Sequence, residues 1–181
     1  MPVPPFHILS AGSCWPDQPA QERHQQITTA CERILRTLPQ WFGIEPALQD
    51  YARAAAMLPT WFAEERGVLT GFITLTHHFE RSWEIHCMAV ETSKRGNGIG
   101  RALVAAAISA IADERAAFLS VKTLSASRED AAYAETRAFY SALGFVPLFE
   151  LPDYWSVENP CLVMVRRIDP LVPDSKTPTS A

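Results

Sequence analysis

Between an apolar strand pattern ending at Val90 and an apolar helix pattern starting at Ile99, the chain reads Arg95-Gly96-Asn97-Gly98-Ile99-Gly100-Arg101. Glycine lets backbone approach a ligand with no Cβ in the way, and the first N–H groups of a helix, at the positive end of its dipole, attract an anion. Arg95 and Arg101 add charge at the same place, and no Asp or Glu lies between Glu91 and Asp113 to cancel it. The chemistry implied is the holding of a pyrophosphate. Two other phosphate loops do not fit: a Walker loop ends in Gly-Lys-Ser/Thr, and a dinucleotide fingerprint needs a third glycine where Leu103 stands.

What remains is Arg-x-x-Gly-x-Gly over Arg95, Gly98 and Gly100. Preceded by the strand Trp83 to Val90 and followed downstream by Phe139-Tyr140-Ser141-Ala142-Leu143-Gly144-Phe145, it resembles the GNAT acyltransferase superfamily, over residues 60 to 168. The resemblance implies acetyl-CoA as cosubstrate. Its pyrophosphate is expected on Arg95, Gly96, Asn97, Gly98, Ile99, Gly100 and Arg101. Its pantetheine arm and thioester are expected on backbone groups of Met88, Ala89 and Val90, where the strand splays from its neighbour. By the same resemblance the backbone N–H of Met88 is the candidate oxyanion donor, a role worth about 3 kcal/mol when one donor is deleted. Tyr140 matches the family's tyrosine and is the candidate general acid, because a phenol titrating near ~10 stays protonated at neutral pH and can donate to a departing thiolate.

Period-two alternation on the strand before the loop predicts Glu84, His86, Met88 and Val90 on one face and Ile85, Cys87 and Ala89 on the other. Glu84 and His86 would then point with the reaction centre. The run Trp83-Glu84-Ile85-His86 with Ala89-Val90-Glu91 is similar to the strand of aminoglycoside 6'-N-acetyltransferases, where the matching glutamate is assigned as general base. A carboxylate withdrawn from water titrates higher and suits that role. A glutamate beside a sheet also serves simply to pair with a Lys or Arg, and a strand histidine simply to hydrogen-bond. Trp41 and Phe42, in the apolar turn Leu38 to Gly43, either line an acceptor pocket with His86 or pack a helix pair onto the sheet. His77 and His78 have no Cys, Asp or Glu at ligand spacing, so no metal site is expected.

The acceptor implied is a primary amine of a small molecule, with aminoglycosides as the specific instance, attacked directly in a ternary complex. Two other readings stay open: a protein or peptide N-acetyltransferase with an open groove, and a non-catalytic acyl-CoA sensor or partner module. Pairing of late strands makes dimers in this family, so the resemblance leaves room for a homodimer.

The elements that must position these groups follow from pattern. With 181 residues, 48% hydrophobic and 20% charged, the chain can bury one sizeable core. A net charge of −4 argues against a nucleic-acid surface. No apolar run reaches the length of a membrane span, Met1-Pro2-Val3-Pro4-Pro5 is no secretion signal, and four scattered cysteines suit a reduced, cytoplasmic protein. Eight of the fourteen prolines lie in residues 1 to 20 and 170 to 181, which marks 1–20 as an irregular N-terminal segment and 169–181 as a flexible tail around one domain, 21–168. Phe6 to Leu9 can still form an edge strand. Helices are predicted over Glu22 to Leu38, Glu45 to Met57, Ile99 to Ile111 and Tyr133 to Leu143. Strands are predicted over Thr60 to Glu64, Val68 to Thr76, Ser82 to Val90, Phe118 to Leu124, Val146 to Leu151 and Cys161 to Arg167. An antiparallel meander followed by strand and helix in alternation predicts an α/β (α+β) fold. Its sheet is mixed but mostly antiparallel, of six to seven strands, with helices on both faces.

Overall fold

The computed structural model describes residues 5–168. The expected tail, 169 to 181, and residues 1 to 4 lie outside the described residues. The chain runs β1 (His7–Ser10), α1 (Ala11–Cys14), α2 (Ala20–Arg36), α3 (Pro39–Phe42), α4 (Glu45–Met57), β2 (Thr60–Glu65), β3 (Val68–Phe79) and β4 (Ser82–Val90). A single 3-10 turn, Thr92–Lys94, then leads to α5 (Ile99–Asp113), β5 (Phe118–Leu124), α6 (Ala131–Ala142), β6 (Val146–Ser156) and β7 (Asn159–Arg167). The seven strands form one sheet in the order β1-β2-β3-β4-β5-β7-β6. Every pairing is antiparallel except β4 with β5, because α5 carries the chain back across the sheet between them.

β1 pairs with β2 from His7↔Glu64 to Ser10↔Trp61, so part of the segment expected to be irregular completes the sheet. This is the edge strand expected over Phe6 to Leu9, a run that contains no proline and is free to donate to a ladder. Arg66 and Gly67 both take positive φ, 53° and 78°, which lets a two-residue turn join β2 to β3 without splaying them. α2 ends where Pro39 forbids continuation, and Pro39 itself opens α3.

Two cores sit on opposite faces of the sheet. On one, α2 and α4 bury Ile27, Cys31, Ile34, Leu35, Leu48 and Ala52 against Phe62, Phe72, Cys87 and Ala89. On the other, α5 and α6 bury Leu103, Val104, Ala107, Ile111, Tyr140 and Leu143 against Ile73, Leu75, Ile85, Val90, Leu119 and Val121. Helix spacing of three and four supplies each helix with its buried stripe.

The membership of β4 in both cores exposes an error in the alternation. Cys87 pairs with Thr74 and Ile85 with Leu75, so His86 is an extra residue that β3 does not match. A bulge of this kind resets the two-residue period. Trp83 and Ile85 face α5, yet Cys87 and Ala89 face α4, and Met88 and Val90 return to the α5 side. Glu84 and His86 therefore do not share a face with Met88 and Val90, as strict alternation predicted. They look toward α4, on the opposite side of the sheet.

Candidate active site

The sheet opens at its centre. β4 and β5 pair only from Ser82↔Phe118 to Ile85↔Val121, although both strands run on, β4 to Val90 and β5 to Leu124. What faces the gap follows from the phase of the ladder on the other side. The Glu91 N–H donates to the Thr70 carbonyl at 2.9 Å, and the register continues through Gly71↔Val90, Phe72↔Ala89 and Ile73↔Met88. Hydrogen-bonded and non-hydrogen-bonded pairs alternate in an antiparallel ladder. Ala89 and Cys87 thus bond to β3, while the N–H and C=O of Met88 and Val90 point toward the side β5 has left. Ala89 is accordingly no donor to a ligand in the gap, in contrast to the expectation for it, although it lines the cavity there.

The gap belongs to a cavity of about 510 Å³ whose wall includes Trp41, Phe42, His86, Met88, Ala89, Val90, Arg95, Gly96, Gly98, Ile99, Gly100, Arg101 and Tyr140. Asn97 is outside the wall, its Nδ2 donating to the Lys94 carbonyl at 3.5 Å. Glu84 is outside it as well. Its carboxylate is 13% exposed, pairs with the Lys122 ammonium, and accepts from His78 Nε2 at 3.1 Å. Folding has engaged the expected base in an ion pair behind the wall. The histidine beside it, His86, reaches the cavity, with its ring 5.4 Å from Tyr51. Burial lowers the His86 pKa from the ordinary imidazole value. Glu84 opposes that shift, while Lys122 and His78 add to it, so the ring is neutral at pH 7.

The phosphate loop takes the conformation its glycines allow. Gly96 and Gly98 have φ of 79° and 83°, and α5 starts directly after them, leaving the N–H groups of its first turn without helical partners. Gly100 serves a different need. A Cβ there would stand 3.2 Å from Phe139 Cζ, so glycine allows α5 to approach α6. The field at the loop is less one-sided than the sequence implied, because tertiary structure brings in carboxylates from a distance. Lys94 pairs with Glu65, and Glu135 of α6 raises the pKa of Arg95 against the lowering effect of burial.

Arg95 stacks its guanidinium 4.1 Å from the centroid of Trp41, whose indole N–H donates to Thr136 Oγ1 at 3.1 Å. Trp41 therefore lines a pocket. It joins α3 to α6 across the cavity and roofs it. Tyr140 lies beneath, buried, its ring between Phe139 at 5.3 Å and Phe145 at 5.4 Å. Burial pushes its phenol pKa upward, which keeps the proton on the oxygen. The wall also holds groups that pattern reading passed over, including Tyr51, Lys122, Thr123 and Tyr133. Lys122 had a signal: it interrupts the otherwise apolar or small strand Phe118-Leu119-Ser120-Val121, where a lysine needs a reason.

The residues present fit an acyl-CoA. Helix-end amides and two arginines stand ready for a diphosphate, and backbone groups of Met88 and Val90 line the gap that opens where the β4–β5 pairing ends. The Thr123 Oγ1 is buried in that gap with no partner among the described residues, as a hydroxyl awaiting a ligand would be.

Residues 58–147 match the family model described as acetyltransferase (GNAT) domain. No curated protein matches the chain. Among solved structures, an aminoglycoside 6'-N-acetyltransferase complexed with coenzyme A aligns with TM-score 0.64 at 22% identity, over 81% of this chain and 93% of its own. The ribosomal-protein-S18-alanine N-acetyltransferase from Escherichia coli aligns with TM-score 0.67 at 15% identity, over 95% and 99%. Ard1 from Thermoplasma volcanium aligns with TM-score 0.67 at 20% identity, over 91% and 99%. Parted strands, a glycine loop at a helix mouth and the family match together place this chain in the GNAT superfamily, as an acyltransferase that takes its acetyl group from acetyl-CoA.

Proposed function

We propose that the chain acetylates the primary amine of a small molecule by direct attack within a ternary complex. The observation that carries this reading is the convergence on one cavity of backbone groups freed from the sheet at Met88 and Val90, the His86 imidazole and the Tyr140 ring. Acetyl-CoA supplies a thioester-activated acetyl group. The chain has three tasks around it.

The first is to hold it. The amides of Ile99, Gly100 and Arg101, with the Arg95 and Arg101 guanidiniums, take the diphosphate, and Met88 and Val90 take the arm. The Met88 N–H also serves the carbonyl oxygen as it gains charge, worth about 3 kcal/mol. The second task is to free the nucleophile. His86 removes one proton from the ammonium and passes it to water, leaving a lone pair that forms the new C–N bond. The third is to let the thiol leave. As the C–S bond breaks, Tyr140 gives its proton to sulfur, and the second proton lost from nitrogen restores the phenol through water. One proton is released per turnover. Glu84 acts as a positioning residue, fixing His78 and Lys122 and biasing His86.

The Trp41 roof supports a small acceptor over a peptide, since an indole hydrogen-bonded across the cavity blocks an open groove. No helix among the described residues is long and apolar enough to cross a membrane. Four free cysteines favour a reducing compartment, the cytoplasm among them. The test is thiol release from acetyl-CoA with an amine panel, alongside thermal protection. Acetyl-CoA should raise Tm, and at least one small amine should accelerate release. Protection with no release on any amine would leave an acyl-CoA sensor in its place.

A further inference from the structure

The acceptor half of the cavity has its own chemistry. Its wall includes the aromatics Phe42, Tyr51 and Trp155; Tyr51 meets the His86 ring at 5.4 Å and Phe42 edge to face at 5.8 Å. Its charged group is Lys122, on the splayed part of β5, with Tyr154 5.4 Å from the ammonium. Among the described lining residues the single carboxylate is Glu135, which acts electrostatically on Arg95. Lys94, Arg95, Arg101 and Lys122 oppose it. A polycationic acceptor such as an aminoglycoside would meet aromatic and cationic walls, with Glu135, already beside Arg95, as the one lining carboxylate for its remaining ammonium groups.

Lys122 cannot be explained as a group for the diphosphate, because β5 lies across the gap from the glycine loop. Nor does Glu84 exhaust it. One of the three ammonium protons goes to Glu84, which stands behind the wall, and Lys122 still lines the cavity. Lys122 and His86 line the same cavity, and Lys122 shares the Glu84 carboxylate with His78, so one small molecule can meet both the cation and the proton acceptor.

We infer that the acceptor is an amine bearing a carboxylate, an α-amino acid with an aromatic or large apolar side chain, whose carboxylate is bound by Lys122 while its nitrogen is presented to His86. The inference rests on the acyl-transfer reading above and narrows its substrate. The aromatic wall takes the side chain, and a lysine–carboxylate contact out of bulk water is strong enough to select.

Acetyl-CoA turnover is measured with L-phenylalanine, L-tryptophan and L-leucine, against 2-phenylethylamine, which lacks the carboxylate, and kanamycin. At least one of the amino acids should exceed 2-phenylethylamine at least tenfold in kcat/KM. That ratio should fall to near one in Lys122→Met and persist in Lys122→Arg. Because Lys122→Met strands the Glu84 carboxylate, the Glu84→Gln/Lys122→Met double variant repeats the measurement without an isolated buried charge. Wild-type turnover of 2-phenylethylamine or kanamycin matching or surpassing every amino acid overturns the inference and leaves amine acetylation standing. A ratio unchanged in both Lys122→Met backgrounds overturns it too. Turnover of none of the five amines, with acetyl-CoA still raising Tm, overturns the acyl-transfer reading itself and the inference with it.

Discussion

Replacing Tyr140 by Phe removes one oxygen from the proposed acid and nothing else of the packing. The ring stays where it is, held between Phe139 and Phe145 at 5.3 and 5.4 Å, and α6 keeps its buried stripe. Since no core volume is lost, the change in stability should stay below about 1 kcal/mol, within the range of volume-conserving swaps. The effect on rate is of another size. A positioned general acid contributes roughly 10²- to 10⁴-fold, which at 1.36 kcal/mol per tenfold is about 3 to 5 kcal/mol of barrier. The assay is thiol release at saturating acceptor, with acetyl-CoA varied. The expected result is kcat down at least 100-fold, Tm within about 2 °C of wild type, and KM for acetyl-CoA within about threefold, because backbone amides hold that molecule. A kcat within about twofold of wild type, with Tm unchanged, would refute the assignment and leave Tyr140 as a core aromatic under the cofactor site.

Other expectations follow from the same geometry. Arg95→Glu replaces a cation at the loop and ends its stack on Trp41, so KM for acetyl-CoA should rise at least about tenfold with kcat changed far less; an unaltered KM would place the diphosphate elsewhere. The rate profile should show an acidic limb below the ordinary histidine range, since burial lowers the His86 pKa, with activity rising as the ring loses its proton. His86→Gln should abolish that limb. Glu84→Gln should move it to still lower pH, because the carboxylate raises the His86 pKa; a limb that ignores both changes rules His86 out as the base. Stability should hold to about pH 8 and fall above about pH 9. The buried thiols of Cys31 and Cys87 and the Tyr51 phenol, the last pushed up to about 12, favour their neutral forms in the folded state. Their contribution is present below the unfolded pKa values and is lost as pH climbs through the folded ones. Thermal melts from neutral to alkaline pH would show it, and a flat Tm would contradict it.

Pattern reading found what short segments decide alone. The α4 limits, Glu45 to Met57, and the β4 and β5 limits came from proline position and apolar runs. The glycine loop was legible because Gly96 and Gly98 need positive φ. The part that stayed hidden is decided by partners distant in sequence. Nothing in residues 82 to 90 says that β3 will leave His86 unmatched, because a bulge is a property of two strands in register. Nothing near Glu84 announces Lys122, 38 positions on, as the group that will claim its carboxylate. The local charge count around the loop failed for the same reason, with Glu65 and Glu135 arriving from other elements.

The bulge does more than spoil a pattern. Had alternation continued through His86, imidazole and Met88 side chain would occupy the same face, and the thioester bound along Met88 would meet the base from the side packed with α5. One extra residue turns His86 toward α4, where an acceptor can enter under Trp41, while the Met88 backbone still addresses the gap. Nucleophile and acyl donor can then approach from opposite faces of the sheet, with the reacting carbon between them, which direct attack in a ternary complex requires. Deleting the bulge should separate these functions. A chain lacking Ile85 would pair His86 with Leu75 and turn its imidazole toward α5; it should still gain Tm from acetyl-CoA bound at its loop and lose acetyl transfer, and transfer at the wild-type rate would refute the role given to the bulge.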